Sequence, residues 1–284
     1  MQIITACMLW GTYGLFVKKL GYSPEVIVFF RFLFGAIFVA LLVCFTGGFA
    51  RLKPSAHTRT LIMAGVINAA SWLMFTYSIN YTSVANGVIL TYTAPCFVVL
   101  LAPFVLKERL EKKSIGALLL SFTGIILIVA YGGQAPKAGS LAGNVLGVAS
   151  GLLYAFYILA LKRVPPEFMG IISNFYISSV IAIVCFPLAG LSMPSFTLSG
   201  ILLLVVLGAL VQGVGTTLYM IGLSRVKTQH ASILLYFEVV FATVFAFFLL
   251  HEQMTPAFLT GIVMVVAGCA LILFYRREED LSDT

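Results

Sequence analysis

The sequence predicts an all-α, polytopic membrane protein in which ten transmembrane helices form two inverted five-helix repeats around a central cavity. Charged residues make up only 10% of the chain, against roughly 25% in an ordinary soluble domain. Apolar residues reach 61%, and the mean hydropathy is +1.08. A soluble core cannot hide that much apolar surface, so lipid has to serve as the solvent for the outside of the protein.

Ten segments are apolar enough, and close enough to about 20 residues in length, to cross a bilayer as helices. In chain order they are 2–17, 24–46, 60–79, 82–106, 113–131, 142–161, 168–190, 198–223, 229–250 and 255–275. The breaks between them contain Pro, Gly and charged residues, which end helices or remain in water. The charged segment that follows the tenth span is expected to be a solvated tail.

The loop charges predict the orientation of the spans. With the N-terminus in the cytoplasm, the inside loops and the tail carry thirteen Lys and Arg residues, whereas the outside loops carry three: Lys18, Lys19 and Lys137. Basic loops are retained on the cytoplasmic side during membrane insertion. We therefore expect both termini to be cytoplasmic, and the lack of recognisable sorting signals favours the plasma membrane of a prokaryote.

Corresponding residues recur in the two halves of the chain. The pairs, about 142 to 144 residues apart, are Pro24-Glu25 with Pro166-Glu167, Tyr77 with Tyr219, Glu108 with Glu252, and Gly124 with Gly268. They predict a first repeat over 1–133, a second over 141–276 and a cytoplasmic tail over 277–284. Because five is an odd number of helices, the second repeat enters the membrane in the opposite direction. Inverted repeats are common in secondary transporters, which bind substrate near the bilayer midplane.

Several motifs carry a resemblance to a known family. They are Trp10-Gly11, Arg31, Ala94-Pro95, Lys107-Glu108-Arg109-Leu110 and the run from Gly116 to Gly124, with a weaker second set at Glu252, Gly261 and Gly268. Over essentially its whole length, the chain resembles the EamA type of the drug/metabolite transporter superfamily. One departure is that Val239, preceded by Glu238, stands where the second repeat would match Pro95.

The resemblance implies a basket-like bundle whose cavity is lined mainly by helices 1, 3, 4, 6, 8 and 9. Members of this superfamily move amino acids, choline, nucleotide sugars, other metabolites or drugs, often outward. Repeat and resemblance together predict a secondary, non-ATP transporter that works by alternating access. We expect an exporter of amino acids or related small zwitterionic or cationic metabolites or drugs, the alternative being an uptake carrier for a quaternary amine or another small metabolite.

The expected partners are a small-molecule substrate and the lipid bilayer, with protons as a candidate coupling ion, no nucleic acid and no cofactor. A monomer suffices for a complete pathway, and a dimer remains open.

An enzyme requires an assembled nucleophile, base or metal cluster, whereas His57, His230 and His251 lie far apart in the sequence. The five cysteines occupy apolar runs without CxxC pairs, which predicts no metal or disulfide role. A channel would need charged rings along a pore, and a scaffold would not need an intramembrane acid.

Glu238 is the main candidate for proton coupling and for substrate contact. It lies near the middle of the ninth predicted span, where an acidic residue costs at least about 2.5 kcal/mol. A functional Glu238 exchanges a proton or neutralises a cationic substrate. A structural Glu238 is protonated and hydrogen-bonded to a neighbouring helix. Arg31, in the second span, belongs to the family pattern, and the resemblance implies a role in packing or gating. The alternatives are that its long side chain reaches the membrane interface or that it pairs with Glu238.

Further cavity candidates lie at spacings of three or four residues, which share a helix face, or at the interfacial ends of spans. They are Trp10 and Tyr13 in the first span, Asn68, Trp72 and Tyr77 in the third, Tyr154 and Tyr157 in the sixth, and Gln212, Thr216 and Tyr219 in the eighth. The alternative is that the aromatic residues form interfacial belts, while the amides bond helices together. A cavity of aromatic rings with one carboxylate suits a cation, or a zwitterion with an apolar group.

Overall fold

The computed structural model describes residues 1–48, 52–131, 140–250 and 255–282, and within these ranges the chain forms fourteen α-helices and no strand. They are α1 (Gln2–Gly11), α2 (Tyr13–Leu20), α3 (Pro24–Gly47), α4 (Thr58–Tyr81), α5 (Val84–Thr91), α6 (Ala94–Leu106), α7 (Lys112–Tyr131), α8 (Leu141–Leu161), α9 (Ile171–Gly190), α10 (Leu198–Val206), α11 (Thr216–Ser224), α12 (Thr228–Leu234), α13 (Phe237–Leu250) and α14 (Pro256–Ser282). A π-helical segment, Leu207–Gly215, joins α10 to α11, and a 3₁₀ turn, Pro166–Phe168, precedes α9.

The predicted class, an all-helical polytopic membrane protein, is confirmed. Among the described residues, nine helical runs are long and apolar enough to cross a membrane, and they match the second to tenth predicted spans. The first predicted span corresponds to α1 and α2, which are separated at Thr12. The Thr12 hydroxyl donates to the carbonyl of Leu9 at 2.6 Å, so a side-chain hydrogen bond satisfies this main-chain acceptor at the bend.

The fourth predicted span, 82–106, is not one continuous helix. It is interrupted between α5 and α6, at Tyr92 and Thr93. Pro95 has no backbone N–H group to donate to a carbonyl of the preceding turn. The amide and the hydroxyl of Thr93 both donate to the carbonyl of Leu90, which tightens the chain into a 3₁₀-type turn.

The ninth predicted span, 229–250, is interrupted at the corresponding position, between α12 and α13. Here the amides of Leu235 and Tyr236 bond to carbonyls three residues back, and the amides of Glu238 and Val239 do the same. No proline is present at this turn, so the residues there do not indicate an interruption. As a result Glu238 lies in the first turn of α13, rather than in the middle of a longer helix.

The last helix is longer than expected. α14 continues to Ser282, so the segment 277–282, expected to be a tail, extends this helix. Several residues used in the sequence argument, among them Arg51, Lys137, His251 and Glu252, lie outside the described ranges.

The chain divides into two compact units. The first unit contains residues 1–70 and 160–225, and the second contains residues 71–159 and 226–284. Each unit therefore takes helices from both halves of the sequence, and the units do not coincide with the two predicted repeats.

Glycines allow helices to approach closely in the first unit, where α3 packs against α9 and the π segment. A Cβ added to Gly208 would lie 2.5 Å from the Cβ of Phe34, and one added to Gly213 would lie 2.5 Å from the ring of Phe38. From the other side, a Cβ on Gly35 would meet the side chain of Gln212 at the same distance of 2.5 Å. Small residues at such contacts are the usual basis of helix packing in membranes.

In the second unit, α7 and α14 form the most extensive helix pair, and their contact is reciprocal. A Cβ on Gly124 would lie 2.6 Å from the carbonyl oxygen of Gly261, and a Cβ on Gly261 would lie 2.7 Å from the carbonyl oxygen of Gly124. About two turns further along α14, a Cβ on Gly268 would lie 2.7 Å from the carbonyl oxygen of Ala117. The two helices therefore run antiparallel at backbone contact distance.

Loops assigned to the same membrane side meet within the first unit. In the first unit, the Tyr176 hydroxyl donates to the carbonyl of Leu52 at 2.7 Å, and Lys162 donates to the carbonyl of Leu223 at 2.8 Å. All of these lie at ends assigned to the inside. At the opposite end the rings of Tyr22 and Phe196 are 5.6 Å apart. The alternation of inside and outside loops along the chain is compatible with these contacts.

Candidate functional site

Trp10 is anchored on the π segment in the first unit. Its indole N–H donates to the carbonyl of Val211 at 3.0 Å, and its ring lies 5.1 Å from the ring of Tyr219. Gly215 provides the room, because a Cβ there would lie 3.0 Å from the indole nitrogen. Trp10 is buried, as is Tyr219. This position is more consistent with a structural anchor than with an interfacial belt.

Gln212 belongs to a buried polar network that sequence reasoning missed. Its amide donates to Asn174 Oδ1 at 3.2 Å and to Ser178 Oγ at 3.0 Å. Asn174 in turn donates to the carbonyls of Gln212 and Gly213 and to the hydroxyl of Thr217, each at 3.0 Å. The amide of Asn174 thus bonds α9 to main-chain oxygens of the π segment, which is the stabilising role considered for deep amides.

The signal for this network was present in the sequence. Asn174 and Ser178 are four residues apart in an apolar span and therefore share a face. What the sequence did not indicate is the π-helical geometry of Leu207–Gly215. π segments in helices occur frequently at functional sites. Thr216, which follows directly, is buried on the same span as Gln212 and Tyr219.

Arg31 lies among aromatic rings in the first unit. Its guanidinium carbon is 4.8 Å from the centroid of the Tyr13 ring and 5.5 Å from that of Phe32. Arg31 is only 6% exposed. Cation–π contact of this kind stabilises a buried guanidinium, and it gives Tyr13 a defined partner.

Asn68 is also buried, at 4% exposure, but it is not part of the Gln212 network. Its carboxamide oxygen has no hydrogen-bond partner among the described residues. A buried acceptor without a partner costs about 1 to 3 kcal/mol, and such groups call for a water, an ion or a ligand. Asn68 therefore remains a candidate for substrate contact.

The two helix interruptions meet in the second unit. The Tyr236 hydroxyl donates to the main-chain carbonyl of Tyr92 at 2.9 Å, and the two rings are 6.0 Å apart. Tyr236 is fully buried. Because Tyr92 and Tyr236 are 144 residues apart, they hold equivalent positions in the two predicted repeats.

Glu238 follows this contact directly. It is half-buried and lies in the first turn of α13, where its amide bonds to the carbonyl of Leu235 at 2.9 Å. The N-terminal end of a helix carries partial positive charge, which favours a carboxylate there. The interruption therefore gives an acidic residue within the span a more favourable environment than a continuous helix would.

Hydroxyl groups cluster beside the first interruption. Ser71 donates to the carbonyl of Ser150 at 2.9 Å, and the hydroxyls of Thr91 and Ser150 are 3.3 Å apart. On the same helix as Ser150, the rings of Tyr154 and Tyr157 lie 5.5 Å apart. Tyr154 is half-buried and Tyr157 is buried.

The remaining aromatic candidates are more peripheral. Trp72 is half-buried and packs edge-on against Phe75, with ring centroids 5.9 Å apart. Tyr77 is exposed, at 44%.

The charged motif after α6 contacts the start of α12. Both carboxylate oxygens of Glu108 accept from the amide of Thr228 at 3.0 Å, and one also accepts from the Thr228 hydroxyl at 2.7 Å. Glu108 thus caps the start of α12. The residue at the N-cap position of α12, Lys227, makes no capping hydrogen bond with its side chain. Sequence reasoning had placed Glu108 in a loop without assigning it a partner.

Glu111 extends this contact. Its carboxylate accepts from Lys227 Nζ at 2.6 Å and lies 2.7 Å from Nε2 of His230. Partial burial on its own raises the pKa of Glu111, but hydrogen bonds from Lys227 and His230, together with their charges, outweigh burial and lower the pKa below its usual value. Nearby, the Gln229 side chain donates to the carbonyl of Arg109 at 2.8 Å.

Within the described ranges, no group of three or more His, Cys, Asp or Glu side chains is placed to hold a metal ion. The interrupted spans and the polar groups beside them, in a protein that crosses the membrane many times, define the class as a membrane transporter. The sequence matches the EamA-like transporter family twice, over residues 1–130 and 141–274. The chain belongs to the EamA-like transporter family.

Similar proteins agree with this assignment. An uncharacterized transporter of Archaeoglobus fulgidus is 28% identical over 279 residues, which cover 97% of this chain and 95% of the relative. The uncharacterized transporter YxxF of Bacillus subtilis is 24% identical over 286 residues, which cover 98% of this chain and 90% of the relative. A crystal structure with 21% identity superposes with a TM-score of 0.81, covering 98% of this chain and 97% of the other, and shows that the fold is shared.

Proposed function

We propose that the protein is a secondary transporter whose substrate site lies at the paired interruptions of the second unit. The observation that carries this proposal is the contact between Tyr236 and the carbonyl of Tyr92, which joins the two interrupted spans at equivalent positions. In transporters built from repeats, interrupted helices at corresponding positions mark the site of substrate and coupling ions.

The reciprocal packing of α7 and α14 supports the two inverted repeats, over 1–133 and 141–276. With a spacing of 144 residues, Gly124 corresponds to Gly268 and Ala117 corresponds to Gly261. The contact of Gly124 with Gly261 is then equivalent to the contact of Gly268 with Ala117. Replacing each residue of one contact by its counterpart in the other repeat therefore gives the other contact. Such an exchange of equivalent contacts is the mark of a two-fold axis.

The proposed substrate is a small zwitterionic or cationic metabolite, such as an amino acid, or a drug of that charge. Glu238, two residues after Tyr236 in the first turn of α13, is proposed to supply a negative charge for an ammonium group, and the Tyr92 and Tyr236 rings are proposed to supply aromatic faces. Glu238 is also the proposed proton-coupling residue. Tyr154 and Tyr157, which lie in the same unit, are the further proposed contacts.

The proposed direction is export from the cytoplasm of a prokaryotic cell, with both termini inside. The basic residues of the contacts described above, Lys162 and Lys227, lie at loops assigned to the cytoplasm. Positive charge on these loops supports that orientation. A single copy of the chain is proposed to be sufficient.

Ligand binding tests the site. Purified protein is screened by thermal shift against amino acids and quaternary amines, comparing the wild type with Glu238→Gln. A ligand that stabilises the wild type and not the variant supports Glu238 as a substrate contact. Equal stabilisation of both removes Glu238 from the site, and a panel in which only anionic ligands stabilise the wild type contradicts the proposed charge class.

A further inference from the structure

The short helix α12 is held at both ends. It contains only seven residues, Thr228–Leu234, all of them buried, and is roughly 10 Å long at 1.5 Å per residue. Its first residue is capped by Glu108. At its far end the carbonyl of Ile233 accepts from the Cys269 thiol at 3.5 Å, and Tyr236 follows with its bond to Tyr92.

The contacts at the first end differ in kind from those that hold α7 to α14. They are hydrogen bonds and ion pairs made by Glu108 and Glu111, and the Lys227 side chain that pairs with Glu111 is 42% exposed. Water can replace such bonds at modest net cost. The α7–α14 contact, by contrast, joins backbone to backbone at glycine residues, and water cannot take its place.

The backbone before Glu108 is strained. Lys107 has a φ of 58°, and among the non-glycine residues in the described part of the chain it is alone in having a positive φ. A residue of this type is disfavoured in the left-handed region. Strain at one position persists only where surrounding contacts hold it, and it is often found at elements that switch.

We propose that Glu108 and Glu111 form a carboxylate latch that holds α12 in a closed position, and that Glu108 is a positioning residue for transport. The proposal rests on the transport function proposed above. When the latch opens, α12 is free to move, and with it the interruption that carries Tyr236 and Glu238. Glu108 acts through α12 and is not itself a contact of the substrate.

Site-specific alkylation tests the latch without a substrate. A reporter, Ser232→Cys, is placed in α12, where the Ser232 side chain is fully buried and donates to the carbonyl of Gln229 in the same helix. Full-length protein in lipid nanodiscs is treated with a polar maleimide, and labelling at each cysteine is followed by peptide mass spectrometry. Native Cys185, buried in α9, reports global unfolding in the same sample.

The latch predicts that Glu108→Gln raises the alkylation rate of the reporter about tenfold, since charge-assisted bonds to the helix start are lost. Labelling of Cys185 is expected to stay unchanged. The matched control is Glu167→Gln, which makes the same change of charge at an exposed carboxylate in the Pro166–Phe168 turn. This control is expected to leave the reporter protected, and Glu108→Asp, which keeps the charge, is expected to restore part of the protection.

A reporter that remains protected in Glu108→Gln overturns the proposal, as does a parallel rise at Cys185. Should Glu108→Gln not yield folded protein, Thr228→Val decides, because it removes only the hydroxyl donor and keeps the amide contact. A smaller but measurable rise is then expected, and unchanged labelling contradicts the latch. Failure here leaves the ligand test of Glu238 unaffected, so the two proposals fail separately.

Discussion

The hydroxyl of Tyr236 donates a 2.9 Å hydrogen bond to the main-chain carbonyl of Tyr92, and these residues hold equivalent positions in the two proposed repeats. Each lies where a transmembrane span is interrupted, so one side chain of the second repeat bonds the exposed backbone of the first.

Tyr236→Phe removes this bond and keeps the ring. We expect a loss of about 1 kcal/mol in stability, which is typical of one hydrogen bond, measured by thermal unfolding in detergent. Transport of any ligand found by the panel is expected to slow beyond what this loss explains. Tyr131→Phe is the control, because Tyr131 is exposed at the end of α7. A Tyr236→Phe variant with wild-type stability and transport would show that the bond does not matter.

Gly124→Ala tests the contact between α7 and α14. The added Cβ would lie 2.6 Å from the carbonyl oxygen of Gly261, so the helices have to separate. We expect a destabilisation of about 1 to 3 kcal/mol, the usual cost of overpacking. Gly116→Ala on the same helix meets nothing within 4 Å and is expected to be neutral or slightly stabilising. Equal effects of the two substitutions would contradict the close packing.

Asn174→Ala removes the amide that bonds three acceptors on the neighbouring span. The Gln212 side chain also loses an acceptor, so buried polar groups remain unpaired. We expect a loss of about 2 kcal/mol or more. Asn80→Ala, at an exposed position of α4, is the control and is expected to change stability by less than about 0.5 kcal/mol. Thermal unfolding measures both, and a stable Asn174→Ala variant would remove the network from the account.

Glu111 gives a prediction about pH. Since its pKa is lowered in the folded protein, its contacts contribute stability above the unfolded value of 4.5, and this contribution disappears as the pH falls through the lower, folded value. The difference in melting temperature between wild type and Glu111→Gln is therefore expected to be positive near pH 7 and to shrink below about pH 4.5. Lys227→Gln is expected to reduce this difference, because it removes a partner of Glu111. A difference that grows on acidification would contradict the assignment.

The spans could be predicted because each is a long apolar run between charged or Pro- and Gly-containing breaks, and lipid selects for that pattern directly. The interruption near Pro95 had a local cause that a reader of the sequence can see. The one at Tyr236 had none, since its turn is bonded by tertiary contacts such as the bond to Tyr92. For this reason the sequence predicts Glu238 in the middle of a helix, whereas the structure has it in the first turn of α13.

The sequence predicts which polar residues belong to the candidate site, but it does not predict their hydrogen-bond partners. The sequence offers Gln212 both as cavity lining and as a bond between helices, and the structure adds its hydrogen bonds to Asn174 and Ser178. Glu108 was noticed as part of a motif, yet its cap on Thr228 joins residues 120 apart in the chain and depends on the fold. Pairings of that kind are set by tertiary structure, and sequence spacing alone does not reveal them.

Counterflow in proteoliposomes tests the central claim most directly. Vesicles loaded with one member of an amino-acid and quaternary-amine panel are diluted into the labelled compound, for the wild type and for Glu238→Gln. We expect transient, trans-stimulated accumulation of at least one zwitterionic or cationic compound by the wild type, and its loss in the variant. Flux without trans-stimulation, or counterflow equal in both proteins, would contradict a carrier whose substrate site includes Glu238.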